Sequence, residues 1–147
     1  MTQTTSEKVS RTTTTIDARG PRFAAAITVV VLSIALLTHS AWVLVFQALV
    51  FGIGALRGPQ FTPYATIFRK FVRPRLKGEV PTEDVRPPQF AQSVGLIFAV
   101  VGIAGIAVGA PIVFTIAVSA ALAAGFLNAA FNFCLGCEIY LLLLRLR

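Results

Sequence analysis

Cys134 and Cys137 are the only cysteines of the chain, spaced Cys-Leu-Gly-Cys near the end of a long apolar segment that finishes in Arg145-Leu146-Arg147. Two thiols at this spacing support disulfide or sulfur exchange, or half of a metal site. On a helix the separation puts both sulfurs on one face, and Gly136 between them weakens the helix, which helps a short-loop disulfide form and break. Zinc wants four ligands, and the only histidine, His39, is expected at the opposite membrane face, so a metal would need a second copy of this chain or another protein. No metal or cofactor is therefore assigned. A third reading treats both cysteines as small apolar packing residues. Glu138, beside Cys137 and one turn from Cys134, disfavours a thiolate, as does the C-terminal part of a helix. Asn132 and Asn128, two and six residues before Cys134, are the polar neighbours.

The elements that must position this dithiol are membrane helices. Of 147 residues 56% are apolar and 13% charged, and the charges are segregated. Apolar runs extend from about Pro21 to Thr38, Ala41 to Leu56, Phe90 to Gly109 and Ile112 to Leu144, with Arg22 at the edge of the first and Glu138 in the last the only acid or base inside them. About 20 residues cross the hydrocarbon core as a helix. The expected fold is an all-α membrane protein with four transmembrane helices, about 21–38, 41–56, 89–109 and 112–133 or longer, in one domain spanning 16–147. If the last helix starts at Ile112, Cys134 lies ~33 Å along it, at the far hydrocarbon boundary.

All thirteen lysines and arginines fall on one side of this plan. They occupy the N-terminal arm, the 57–88 loop and the tail, and the turns at His39-Ser40 and Gly109-Ala110-Pro111 carry no formal charge. By the positive-inside rule both termini, the loop and the thiols are cytoplasmic, where a persistent structural disulfide is not expected. A cleaved leader ending near Thr38-His39-Ser40 is the competing reading of the first run.

An internal echo argues against a leader. Asp17-Ala18-Arg19-Gly20-Pro21-Arg22-Phe23-Ala24 returns as Asp84-Val85-Arg86-Pro87-Pro88-Gln89-Phe90-Ala91, identical at five of eight positions, each copy preceding an apolar run. Two helix pairs crossing in the same sense are parallel repeats about an axis along the membrane normal. Pro21 and Pro88 suit a first helical turn, and Asp17 and Asp84 suit the positive end of the dipole. Arg19 and Arg86 reach lipid phosphate or pair with those aspartates.

Between the pairs, Tyr64, Ile67, Phe68, Phe71 and Val72 have the spacing of one apolar helical stripe, with Arg69, Lys70 and Arg73 off it. This short helix is expected in the inner interface, its cations against anionic headgroups. Residues 75–88 read as a linker without regular structure, and residues 1–15, rich in threonine and serine, as a disordered arm. Gly95, Gly102, Gly105 and Gly109, with Gly52 and Gly54, mark close helix approach. Ala121, Gly125, Asn128, Asn132 and Gly136 form a stripe on the fourth helix, from which the two asparagines are expected to hydrogen-bond across to other helices.

Nucleic acid is excluded as a partner because topology and lipid account for the net charge of +7 and no aromatic-basic motif accompanies it. No phosphate loop, Ser-His pairing or quinone signature is present, and no intramembrane His, Asp or Lys serves ordinary enzyme chemistry. The stretches Gly54-Ala55-Leu56-Arg57-Gly58-Pro59-Gln60, Arg86-Pro87-Pro88-Gln89-Phe90-Ala91-Gln92 and Phe126 to Tyr140 resemble the bacterial membrane family called domain of unknown function 4395. The resemblance covers about Asp17 to Arg145, and it implies a small multi-helix protein of a bacterial inner membrane with no established activity. Two functions stay open. One is thiol or sulfur exchange with a docked thioredoxin-like or sulfurtransferase protein; the other is a non-catalytic membrane subunit or small transporter, alone or as a homo-oligomer.

Overall fold

The computed structural model of the protein describes residues 15–76 and 78–146. In chain order these form strand β1 (Thr15–Asp17), helices α1 (Arg19–Thr38), α2 (Ala41–Leu56) and α3 (Pro63–Ile67), strand β2 (Thr82–Asp84), and helices α4 (Arg86–Ala107), α5 (Pro111–Phe131) and α6 (Leu135–Leu146). Three of them, α1, α4 and α5, are long and apolar enough to cross a membrane. At 16 residues α2 is shorter, ~24 Å as a helix. Val30, Leu49, Ile97 and Ile116 are each more than half exposed around the bundle, as expected where acyl chains replace water. The fold is that of an all-α, multi-pass membrane protein.

The helix ends follow from local chemistry. The Asp17 carboxylate accepts the Arg19 amide at 3.0 Å, and Asp84 accepts that of Arg86 at 2.9 Å. Proline stands in the first turn of α4 and of α5, where its missing N–H leaves nothing unpaired. Ser40 caps α2 by accepting from the Val43 amide. At the far end, His39 closes α1 in the left-handed region and Gly109 (φ 78°) turns the chain after α4, a conformation glycine adopts without steric penalty.

The four long helices form a ring in which α1 packs on α5 and α2, and α4 packs on α2 and α5. Leu32, Ala35, Leu44, Phe51, Ala99, Phe114 and Val118 fill it. Close approach depends on the glycines of α4: a Cβ at Gly95 would meet the Phe51 ring at 2.8 Å, and one at Gly102 would meet Leu44 at 2.8 Å. Gly109 and Gly52 face open space instead, so not every expected contact glycine serves that role.

β1 and β2 pair antiparallel, with Thr15 opposite Asp84, Ile16 opposite Glu83 and Asp17 opposite Thr82. This register is symmetric with respect to the echo, because Asp17 and Asp84 hold matching places in it and Thr15 and Thr82 each stand two residues before them. Other contacts match too. Arg22 Nε donates to the Ala129 carbonyl at the end of α5 (3.0 Å), and Gln89, its counterpart, donates to the Ala55 carbonyl at the end of α2 (2.8 Å). Phe23 stacks on Phe68 and Phe90 on Tyr140, both with centroids 5.6 Å apart.

Four expectations need correction. Residues 75–88 are not wholly irregular, since β2 lies among them, and Thr15 belongs to β1; the rest of the expected disordered arm lies outside the described residues. The single stripe on the interfacial segment is divided. After α3 the backbone widens into a π turn at Phe68–Val72, which buries Tyr64 and Phe68 against the bundle and leaves Ile67 and Phe71 facing out. The fourth long helix ends at Phe131. Beyond that end the chain forms a separate helix, α6, packed on α4 far more than on α5.

Candidate functional site: a dithiol at a helix N-terminus

The break before the dithiol has a local cause. Asn132 adopts the left-handed conformation (φ 54°), and its amide bonds to the Asn128 carbonyl while that of Phe133 reaches Leu127. The bond from Asn132 to Asn128 is the five-to-one closure of an αL cap, with asparagine in the place glycine usually takes. Asn132 is thus an exposed helix cap, and no side-chain hydrogen bond ties it or Asn128 to another helix among the described residues. The expected stripe through Asn132 and Gly136 does not exist, because the two residues belong to different segments.

Cys134 then starts α6. Its sulfur accepts the Cys137 amide at 3.1 Å and its carbonyl accepts the Glu138 amide at 3.0 Å, which are the bonds of an N-cap residue. The two sulfurs are joined in a disulfide across Cα atoms 5.1 Å apart. The dipole argument from sequence therefore changes sign. The pair sits at the positive end of a helix, where negative charge on a departing sulfur is stabilised, and not at a C-terminal end that opposes it.

Gly136 fixes where this helix end lies. A Cβ there would come within 2.6 Å of the Ala91 Cβ and 2.8 Å of its Cα, so only glycine allows α6 to seat against the first turns of α4. The sequence suggested that Gly136 weakens a helix; in the fold it is the contact that docks one.

Behind the disulfide lies a cleft of about 110 Å³, whose wall includes Cys134, Gln92, Asn128 and Thr28. Pro21 with Pro88 and Ala24 with Ala91 also line it, so equivalent turns of α1 and α4 frame it from two sides. The Gln92 carboxamide oxygen is buried and makes no hydrogen bond. Its side chain occupies the space that the absent Cβ of Gly54 leaves open, 2.7 Å from where that atom would stand.

Other singled-out residues are elsewhere. Arg19 and Arg86 form bidentate pairs with Asp17 and Asp84, with closest contacts of 2.9 and 2.6 Å. Those guanidiniums hold both carboxyls below the usual carboxylate range, whereas partial burial raises that of Glu83. Arg69 donates to the Gln60 carbonyl and to Thr66, and Arg73 lies 3.7 Å from Asp17; Lys70 is exposed. None of these cations is brought to the disulfide. His39 packs on Phe114 at the other end of α1.

A polar chain was overlooked in the sequence. Tyr64 donates to Gln47 at 2.7 Å, and Gln47, fully buried, donates to Thr28 at 3.4 Å. Burial pushes the Tyr64 phenol up to about 12. The available signal was the lone carboxamide in the run from Ala41 to Leu56, since an amide in hydrocarbon needs a partner.

Together these features define a multi-pass helical membrane protein with one disulfide-forming pair at the start of an extra helix. The chain belongs to the family described as domain of unknown function DUF4395, whose model matches residues 16–145. Nothing among curated proteins or solved structures matches it.

Proposed function

We propose that this is a protein of the bacterial inner membrane, with four spans arranged as two parallel repeats and both termini cytoplasmic, which exchanges disulfides with a thioredoxin-like or sulfurtransferase partner through Cys134 and Cys137. The observation that carries this reading is the N-cap position of Cys134, with its sulfur on the Cys137 amide and bonded to Cys137. A partner thiolate attacks Cys134 Sγ. The new S–S bond forms as the Cys134–Cys137 bond breaks, and Cys137 leaves as a thiolate that takes a proton from water. The partner's second thiolate then attacks its own sulfur in the mixed disulfide and expels Cys134, whose charge the helix end receives. Two electrons pass from the partner dithiol to the pair, and the partner becomes the disulfide; the reverse sequence oxidises the pair. In a reducing cytoplasm the pair is then a turnover state and not a permanent staple.

The repeat reading is supported by the symmetric strand register, the matched Arg22 and Gln89 bonds and the matched aromatic pairs. A second function, as a scaffold or small transporter, draws on the cleft framed by equivalent turns of α1 and α4.

Acid quench and alkylation of intact cells would report the state of both cysteines, and Cys137→Ser would hold a mixed disulfide on Cys134 for identification by mass. Recovery of a partner joined through Cys134 is the expected result. Free thiols at rest and under oxidant, with nothing captured by Cys137→Ser, would overturn exchange and leave the scaffold or transport reading.

A further inference from the structure

A second and larger cavity, about 300 Å³, lies away from the disulfide, between β1, the start of α1 and the segment that contains α3. Its floor is apolar, formed by Pro21, Ala24 and Phe68, and its rim carries Arg69, Arg73 and Gln60. One acid, Asp17, also lines it, but that carboxylate is already held by Nε and one Nη of the Arg19 guanidinium, at 3.0 and 2.9 Å. Arg73 stands 3.7 Å from it and is 46% exposed, so the two rim arginines are a surplus of positive charge beside an apolar pocket. An occupant that satisfies both features has an anionic group and an apolar continuation.

We infer that this cavity holds the headgroup of an anionic phospholipid, with phosphatidylglycerol as the probe that tests it. The phosphate pairs with Arg69 and Arg73, and the acyl chains leave over Ile67 and Phe71, which are 41% and 63% exposed on the same segment. Free inorganic phosphate shares the anionic chemistry but would leave the apolar floor unused. The site also separates cations that sequence alone groups together, since Lys70 has no part in its lining. This assignment is independent of the dithiol.

The test is native mass spectrometry of the full-length protein, released from detergent with phosphatidylglycerol or phosphatidylcholine, on material that elutes as a single folded peak. Two headgroup-proximal arginines correspond to a preference for the anionic lipid of roughly twenty- to thirtyfold. That preference should disappear in Arg69→Gln/Arg73→Gln, which keeps the pocket, and in Ala65→Leu, which fills the pocket wall and keeps both arginines; Lys70→Gln should leave it intact. Equal loss in Lys70→Gln, or full retention in Ala65→Leu, would show diffuse surface attraction and overturn the site. Displacement of the lipid by equimolar inorganic phosphate would overturn the lipid as occupant.

Discussion

Cys134 stands to α6 as Thr62 stands to α3: the Thr62 hydroxyl accepts the Ala65 amide at 3.2 Å, and the Cys134 sulfur accepts the Cys137 amide at 3.1 Å. The carbonyls agree as well, Thr62 receiving the Thr66 amide at 3.1 Å and Cys134 that of Glu138 at 3.0 Å. One ring then packs onto the matching phenylalanine in each case, Phe68 just after α3 onto Phe23 and Tyr140 of α6 onto Phe90. The dithiol thus occupies a capping position that elsewhere in the same protein does purely structural work.

Capping and chemistry should therefore separate by substitution. With the disulfide reduced, Cys134→Ala should lose about 1 kcal/mol of stability relative to Cys134→Ser, which still offers an oxygen to the Cys137 amide, and Thr62→Ala should show a similar loss. Neither Cys134 variant should exchange disulfides. Unfolding in detergent with reductant, beside a thiol-exchange assay, checks both halves.

Gly136→Leu should force α6 away from Ala91, destabilising the protein by about 1–3 kcal/mol through overpacking. Because Cys134 travels with the helix, its alkylation rate in reduced protein should rise. An unchanged rate together with unchanged stability would show that the Gly136–Ala91 contact does not position the thiol.

Tyr64→Phe removes the donor to Gln47 and leaves a buried carboxamide oxygen unpaired, a loss of about 1–3 kcal/mol. The ionisation has its own sign. With the phenol raised to about 12, folding keeps it protonated, so its contribution is present below the unfolded value of about 10 and is lost as pH rises toward the folded one. Wild type should weaken in that alkaline window, and Tyr64→Phe should lack this component.

At the strand pair the carboxylates oppose one another. Asp17 and Asp84, lowered by Arg19 and Arg86, stabilise the fold above the ordinary carboxylate range and lose that contribution as pH falls through it. Glu83, raised by burial, favours the fold below its unfolded value and less as pH rises. Glu83→Gln should therefore raise the melting temperature at neutral pH with the gain vanishing below about pH 4, whereas Asp17→Asn should lower it at neutral pH and flatten the acid limb.

What could be read in advance depended on where the physics is local. The apolar runs, the prolines and aspartates at helix starts, and the echo around Arg19 and Arg86 are sequence-near features, and the helices begin close to where those features stand. The strand pair was not legible, because Thr15–Asp17 and Thr82–Asp84 become strands only by meeting each other. Gln92 and Gln47 were passed over because a carboxamide is revealing only once its surroundings are known.

The end of α5 shows the division most clearly. Composition and hydropathy by themselves determined that this chain is a bundle of membrane helices with a basic surplus, since burying uncharged runs in hydrocarbon depends on residue type alone. Whether Asn132 would continue a helix or close one, and whether Cys134 would meet the negative or the positive end of a helix, was decided by tertiary structure. The left-handed turn at Asn132 is held by backbone bonds to Asn128 and Leu127, and α6 is captured because Gly136 lets it press onto Ala91. Packing between segments some 45 residues apart in the chain, which no local pattern encodes, sets the electrostatics of the only two thiols.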